Sequence, residues 1–406
     1  GFSSGPEGAR SISRIINDRD GLDYFFRKNF ADKNASRIIV KFLHNANIIY
    51  IKISNSIKKI INNIKYMCSK KNAPGVNKKN IARDATIAVT YECNSRCQMC
   101  NIWQIEKPAE LPIEAFQNLS KDLRYLNLSG GEPFLRSDLP EIVKTINISA
   151  PKAKIIISSN GLATDLIVKT MRKIRDVDAR VGVRISLDGI GQMHDEVRGM
   201  PGIYEAVMAT IKGLKEIGID NLGFSFTIMD KNVRQLVDVY DLSKKMNIEL
   251  ALAVVQNSDI YFSKADNKIT YIGELKKSLD YVIDKELSTW NPKRWGRAFY
   301  NFGLKVYAEN NKRLLPSGAG YDSLFIDPEG NIFPSNLINL KMGNIKEEKL
   351  DNIWQDLQSK AVREEIETKN ITESWIICTI RGEIKKHIFK AGLWALKNKL
   401  RVVMGK

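Results

Sequence analysis

From about residue 85 onward the sequence alternates between two textures, and this rhythm constrains the fold more than any other feature. Short β-rich runs recur as TIAVT (86–90), YLNLSG (125–130), KIIISSN (154–160), VGVRISLDG (181–189), LGFSFTIM (222–229) and ELALAVVQ (249–256). Between them lie segments with helical periodicity, among them AFQNLSKDL (115–123), IVKTMRKI (167–174), AVMATIKGLKEIG (206–218) and VDVYDLSKKMN (237–247). Strands alternating with helices imply parallel βα units. Six such units over roughly 170 residues predict an α/β fold, a partial (β/α)6 TIM-type barrel, which collects its chemistry at the C-terminal ends of the strands.

The flanks read differently. Residues 1–84 are expected to form an N-terminal basic helical segment, with Ile53, Ile57, Ile60, Ile61 and Ile64 at helical spacing and Lys58, Lys59 and Lys65 between them. The opening GFSSGPEG lacks the charged-then-apolar pattern of an export signal and is set aside from fold reasoning. Residues 85–290 are assigned to the barrel, 291–380 to a small α+β extension, and 381–406 to a basic amphipathic C-terminal helix. In that helix Ile384, Ile388, Trp394 and Leu400 stand among Lys385, Lys386, Lys397 and Lys399. Two readings of these arms stand side by side: helices packed on the body with a solvated lysine face, or basic amphipathic helices lying on an anionic membrane surface. A net charge of +17 favours anionic partners without choosing among nucleic acid, lipid, phosphorylated substrate or acidic peptide. No apolar run of about 18 residues predicts a membrane span.

Three of the five cysteines fall within TYECNSRCQMCNIW (90–103), as Cys93, Cys97 and Cys100. Thiolates select zinc or iron–sulfur clusters, but a closed zinc site wants four ligands. Cys68 and Cys378 lie far away, and the three histidines, His44, His194 and His387, have no zinc-finger spacing. A cubane cluster takes one thiolate per iron, so three thiolates leave the fourth iron open to a substrate or cofactor.

The motif Cys93-x-x-x-Cys97-x-x-Cys100 after a first strand resembles the signature of the radical S-adenosylmethionine (radical SAM) superfamily. The resemblance implies that the open iron of a [4Fe–4S] cluster chelates S-adenosyl-L-methionine, and that one electron cleaves it to methionine and a 5′-deoxyadenosyl radical. It also implies an external one-electron reductant of flavodoxin or ferredoxin type. Strand two ends in Ser129-Gly130-Gly131-Glu132-Pro133, where Gly130 and Gly131 are expected to let the backbone approach a ligand closely. That run is similar to the family's GGEP motif, in which the carboxylate, here Glu132, holds the methionine amino group. Strand three ends in Ser158-Ser159-Asn160-Gly161, matching a ribose contact of the family. By the same resemblance Ser186 would touch the ribose or carboxylate, Arg198 would pair with the methionine carboxylate, Val255 at the tip of strand six would pack on the adenine, and Met99 would join the cofactor-binding set.

Asp188 is a candidate catalytic residue facing the substrate, or else a turn or N-cap aspartate; His194 is a candidate acid or base, or else a surface histidine. Residues 315–355, with an Asp-Pro-Glu-Gly hairpin turn, resemble the SPASM or twitch extension of many radical SAM enzymes, which carries auxiliary clusters. Serines 317 and 335 occupy cysteine positions of that pattern, and Cys378 alone survives of the later ligands. An auxiliary cluster is therefore not expected, and Cys378 is either a hydrogen-atom donor to a substrate radical or a buried thiol. The expected substrate is a peptide or a membrane-associated lipid or other anionic molecule, and the expected location is the cytoplasm, peripheral at the inner membrane face. The rival reading is a non-catalytic iron–sulfur or zinc protein that binds nucleic acid through its basic surface.

Overall fold

In the computed structural model, residues 82–106, 110–371 and 375–403 are described. The isoleucine-rich arm expected over residues 1–84 lies almost entirely outside the described residues, as does Cys68. Six parallel strands carry the barrel: β1 (Asp84–Thr90), β2 (Tyr125–Gly130), β3 (Lys154–Ser159), β4 (Gly182–Ser186), β5 (Leu222–Ile228) and β6 (Glu249–Val254). They lie side by side in chain order, each hydrogen-bonded to the next. These are the six runs expected from the sequence, within a few residues at each end.

Helices return the chain between strands. They include α1 (Leu139–Ser149), α2 (Thr164–Val177), α3 (Gln192–Arg198), α4 (Ile203–Glu216) and α5 (Leu236–Lys245). In α2 the buried positions Ile167, Thr170, Met171 and Ile174 recur at helical spacing, so one stripe meets the sheet and the charged remainder faces water. The segment AFQNLSKDL is not an α-helix. It holds a 3₁₀ helix, Ile113–Asn118, after which Leu119 turns extended. Ser120 then accepts the Asp122 N–H on its hydroxyl, the local alternative to a helix that serine side chains favour.

The strands are two-sided. Outward-facing Leu126, Leu128, Ile155, Ile157, Val183, Ile185, Phe224 and Phe226 are buried in the main core. Inward-facing Asn127, Ser158, Ser186, Ser225, Thr227 and Ala253 are only half-buried, and Ala251 is exposed. Small and polar residues at period two thus leave the barrel lumen open rather than packed.

Past β6 come α6 (Ile272–Leu287) and α7 (Pro292–Asn310), the latter started by Asn291, whose side chain accepts the Lys293 N–H ahead of a proline. The extension does not stand apart from the barrel. Its strand β7 (Ser323–Ile326) pairs parallel to β1, and β8 (Asn331–Phe333) and β9 (Gly343–Asn344) add antiparallel beyond it, giving one nine-stranded sheet. The Asp-Pro-Glu-Gly stretch makes the β7–β8 turn as expected, with Gly330 at φ 86°. Then follow α8 (Leu350–Ile353), α9 (Leu357–Thr368), α10 (Ile377–Lys386) and α11 (Ile388–Val403).

The C-terminal arm is therefore two helices, α10 and α11, and the phase of α11 differs from expectation. Ala391 and Ala395 are buried, and Lys399 is also buried, donating to the carbonyls of Leu287, Ser288 and Thr289 at the end of α6. Capping those carbonyls with a lysine suits the negative end of the helix dipole. The apolar residues Ile388, Phe389, Leu393, Leu396 and Leu400 face outward instead.

Candidate active site

The chain leaves β1 into the loop that carries the three thiols, and its neighbours clamp that loop by backbone. Arg96 N–H donates to the Arg198 carbonyl (3.1 Å) and Gln98 N–H to that of Val197 (2.9 Å), so the loop runs along the end of α3. On the other side Asn101 N–H donates to the Phe262 carbonyl, and the Asn267 amide donates to that of Met99. Gly199, at φ 69°, permits this contact, since a Cβ there would lie 2.2 Å from the Arg96 oxygen.

The paired glycines after β2 serve the same loop. Gly131 N–H donates to the Thr90 carbonyl and Glu132 N–H to that of Glu92, both at 2.8 Å. A Cβ on Gly130 would stand 2.0 Å from the Thr90 oxygen, and one on Gly131 2.0 Å from the Glu92 oxygen. In this structure the close approach they permit is backbone to backbone, at the root of the thiol loop.

Cys93, Cys97 and Cys100 are free and half-buried. Burial pushes the Cys93 thiol up to about 11 and the Cys100 thiol up to about 12. A metal that binds these sulfurs must displace their protons. An apolar shell of Met99, Val197 and Val255, with Met193 and Met229 at its edge, packs on Cys97 and Cys100. Ser95, fully buried, sets its hydroxyl 3.2 Å from Cys97 Sγ.

Glu132 is fully buried. Its carboxylate accepts from Ser159 Oγ (2.9 Å), from the Asn160 N–H (2.7 Å) and from the Phe134 N–H (3.2 Å). Burial raises its pKa to about 7 against the pull of those hydrogen bonds and of Arg198. The Asn160 amide donates in turn to Asn94 of the thiol loop (2.7 Å), so Glu132, Ser159 and Asn160 form one connected group beside the cysteines. Ser186 stands half-buried at the end of β4.

Asp188 and Arg198 meet as a buried ion pair, Nη2 to Oδ2 at 2.5 Å. The Thr227 N–H donates to the other Asp188 oxygen at 2.7 Å. Arg198 Nη1 also donates to Cys97 Sγ at 3.4 Å, which ties the pair directly to a thiol. Burial alone would weaken the guanidinium's charge, but Asp188 and Cys97 more than offset it and hold its pKa above the usual range. Arg198 Nε is buried with no hydrogen-bond partner among the described residues.

His194 is not a surface residue. It is fully buried; its Nδ1 accepts the Asp188 N–H at 2.9 Å, which places its proton on Nε2, and burial lowers its pKa to about 3. It therefore stays neutral and holds the Asp188 backbone. Asn232 completes the frame, donating from Nδ2 to the carbonyls of Asp188 and Thr227.

Cys378 lies across the lumen. With Met99, Thr227, Val255, Phe262 and Ile377 it lines a cavity of about 180 Å³. The residues next to Ser317 and Ser335 reach its vicinity: Gly318 N–H donates to the Thr379 carbonyl, and the Cys378 thiol donates to Asn336 Oδ1 at 3.9 Å. The serine hydroxyls accept the backbone N–H groups of Ala319 and Leu337 in short turns.

Sequence reasoning did not find Asn94, Ser95, Met193, Met229, Asn232 and Tyr261, the last with its hydroxyl 2.6 Å from Ser129 Oγ. Asn94 and Ser95 sit inside the cysteine motif, and that position was the available signal. The others are marked only by three-dimensional proximity.

Comparison with known proteins fixes the family. Residues 87–242 match the radical SAM superfamily model. Pre-heme d1 synthase of Dinoroseobacter shibae is 33% identical over 302 residues, covering 66% of this chain and 71% of that protein. The chain belongs to the radical SAM superfamily. Fe-coproporphyrin III synthase of Methanosarcina barkeri is another relative, 27% identical over 67% of this chain and 73% of its own length. Streptococcus suis SuiB bound to S-adenosylmethionine shares the fold with a TM-score of 0.52 at 15% identity, over 85% of this chain and 83% of SuiB.

As a radical SAM enzyme the protein uses a [4Fe–4S] cluster and S-adenosyl-L-methionine, and it draws on an external reductant. The rival reading of a non-catalytic nucleic-acid-binding protein falls with this membership, since the superfamily relatives are enzymes. Residues 318–378 match a further model, the SPASM iron–sulfur cluster-binding domain. This radical SAM chain has one cysteine in that stretch, Cys378.

The residues present fit the cofactors. Cys93, Cys97 and Cys100, half-buried on one loop under an apolar shell, suit a cluster that gives each thiolate its own iron. The unpartnered Nε–H of Arg198 beside Cys97 suits a neighbouring anionic group.

Proposed function

We propose that Cys93, Cys97 and Cys100 bind three irons of the cluster, and that Glu132, Ser159, Asn160, Ser186 and Arg198 flank S-adenosyl-L-methionine at the fourth, with Met99 and Val255 giving apolar contact. One observation carries this reading: the thiol loop is clamped to β2 and α3, and so stands beside the Glu132 carboxylate and the Asp188–Arg198 pair. When bound and reduced, the cofactor pair supplies a 5′-deoxyadenosyl radical for hydrogen abstraction.

The chain's own residues do the remaining work. Arg198 places a fixed positive charge beside the Cys97 sulfur, where it can also pair with a carboxylate. Glu132, with a pKa near 7, accepts a hydrogen bond from an ammonium group at the strand end. Met99, Val197 and Val255 exclude water from the thiols. Asp188 and His194 act as positioning residues, the first through Arg198 and the second through the Asp188 backbone. Cys378 faces the cavity of about 180 Å³ where a substrate carbon would lie, and there it would serve as hydrogen-atom donor.

The substrate we favour is anionic, a peptide or a lipid-linked molecule, with a flavodoxin or ferredoxin as electron source. SuiB, whose structure was solved with its precursor peptide SuiA, supports the peptide form. No helix among the described residues is long and apolar enough to cross a membrane. Peripheral contact is supported by α11, whose outward stripe of Phe389, Leu393, Leu396 and Leu400 is flanked by Lys390, Lys397 and Arg401 without an acidic residue. Sedimentation with anionic liposomes at low salt tests that contact, and absence of binding refutes it.

The catalytic reading is tested by anaerobic reconstitution with iron and sulfide, then reduction in the presence of S-adenosyl-L-methionine. 5′-Deoxyadenosine is expected, and Cys97→Ala should abolish both cluster absorbance and product. Iron incorporated without any product would defeat the proposal.

A further inference from the structure

The open lumen has a second end. Tyr125 and Glu249 are the first residues of β2 and β6, so the cavity they line lies at the N-terminal ends of the strands, opposite the thiol loop. Its volume is about 390 Å³. Its walls are apolar where Leu250, Leu252, Tyr300, Ile377 and Ile384 contribute, and Ala251, exposed to it, keeps the space clear.

The rim of this cavity is strongly basic. Arg184, Lys293, Arg297, Arg381 and Lys385 all line it, against the single carboxylate of Glu249. That carboxylate is already shared, with Lys293 at 2.5 Å, Arg297 at 3.1 Å and Arg184 at 3.8 Å. Arg381 and Lys385 stand one helical turn apart on α10, and both crowd the ring of Tyr125, 4.9 and 3.9 Å from its centroid. Lys385 Nζ donates to the Tyr125 hydroxyl at 2.6 Å. Arg381 has Asp84 at 3.6 Å. Like charges at i and i+4 repel, and burial weakens the carboxylate paired with Arg381 by raising the Asp84 pKa to about 6. An anion seated between these cations relieves that repulsion, while the apolar wall accommodates a hydrocarbon or aromatic body.

We propose that the N-terminal end of the barrel lumen is a second binding site, for a small organic anion with an apolar body and a carboxylate or phosphate head. Arg381 and Lys385 bind the head, and Ala251, Leu252 and Ile377 bind the body. No thiol-loop residue lines the site, although Ile377 also borders the cavity beside Cys378, so its occupancy requires neither cluster nor S-adenosyl-L-methionine.

The test is calorimetric titration of the full chain at low salt with octanoate, octyl phosphate and neutral octanol. At least one anion should bind saturably at one site, and which one binds tells carboxylate from phosphate recognition. Arg381→Ala combined with Lys385→Ala should weaken binding at least tenfold, whereas removing Lys212 and Lys360, on α4 and α9, should leave it unchanged. Ala251→Phe, which fills the cavity without altering charge, should also abolish binding and covers the case in which the double variant fails to fold. The proposal is overturned if neither anion binds, if octanol binds as tightly, or if both the rim variant and Ala251→Phe bind like the parent.

Discussion

Replacing Asp188 by asparagine isolates the ion pair that joins the barrel to the thiol loop. Arg198 is buried and has two partners, the Asp188 carboxylate at 2.5 Å and Cys97 Sγ at 3.4 Å. Removing one member of a buried pair leaves an uncompensated charge and costs about 3–5 kcal/mol. At about 2 °C per kcal/mol for a unit of this size, that is a fall in Tm of roughly 6–10 °C. The cluster-free protein should show the full effect, because the Cys97 sulfur at 3.4 Å is then the weak acceptor left to Arg198. The reconstituted protein should lose less, since a Cys97 thiolate then faces Arg198. Differential scanning fluorimetry under anaerobic conditions, with and without iron and sulfide, measures both. The double variant Asp188→Asn with Arg198→Met should recover part of the loss by removing the stranded charge. A single variant within about 1 °C of the parent, or a double variant no better than the single, refutes the reasoning.

Other consequences follow from the same frame. His194 has a folded pKa of about 3 against 6.5 unfolded, so the unfolded chain takes up the proton first and stability rises with pH across that window; by linkage the group costs about 2 kcal/mol at pH 5 relative to pH 8. His194→Gln should remove that part of the slope in urea unfolding at the two pH values, and an unchanged slope argues against a buried neutral ring. Gly199→Ala must place a methyl 2.2 Å from a backbone oxygen at positive φ, an overpacking cost of about 1–3 kcal/mol; lower Tm and poorer cluster loading by absorbance are expected together. Iron analysis after reconstitution should give about four irons per chain, one cubane. Ser317→Cys with Ser335→Cys should raise that figure if thiols alone are wanting beside Cys378, and a constant figure would show that the local geometry is also unsuitable.

The barrel was legible because its outward strand positions are aliphatic at period two and its helices carry one apolar stripe each. AFQNLSKDL misled because its apolar spacing suits a helix while Ser120 offers the backbone a turn. The cysteine spacing and the Gly130-Gly131-Glu132 run marked two segments that the fold brings side by side. What lay out of reach were pairings set by three-dimensional approach. Nothing in the order Asp188, His194, Arg198 says that the histidine will hold the aspartate's backbone while the arginine takes its carboxylate and a thiol. The glycines were legible as sites of close approach, but the expected partner was a ligand, and the structure puts the backbone of residues 90–92 there. The phase of α11 was missed because a buried Lys399 capping carbonyls of α6 looks, in sequence, like one more surface lysine.

The pairing of β7 with β1 has a consequence for how the chain is made. Asp84 pairs with Ser323, a separation of roughly 240 positions, so the edge of β1 that β7 covers waits for its partner until those residues have left the ribosome. An unsatisfied edge beside three thiols invites association with other nascent chains and early oxidation. Stopping synthesis before residue 323 would leave a barrel whose first strand has no second neighbour. The extension, with its serines where ligands are expected, thus has a use that requires no metal: it closes the edge of the strand that leads into the thiol loop, and it does so only after all six barrel strands have been made.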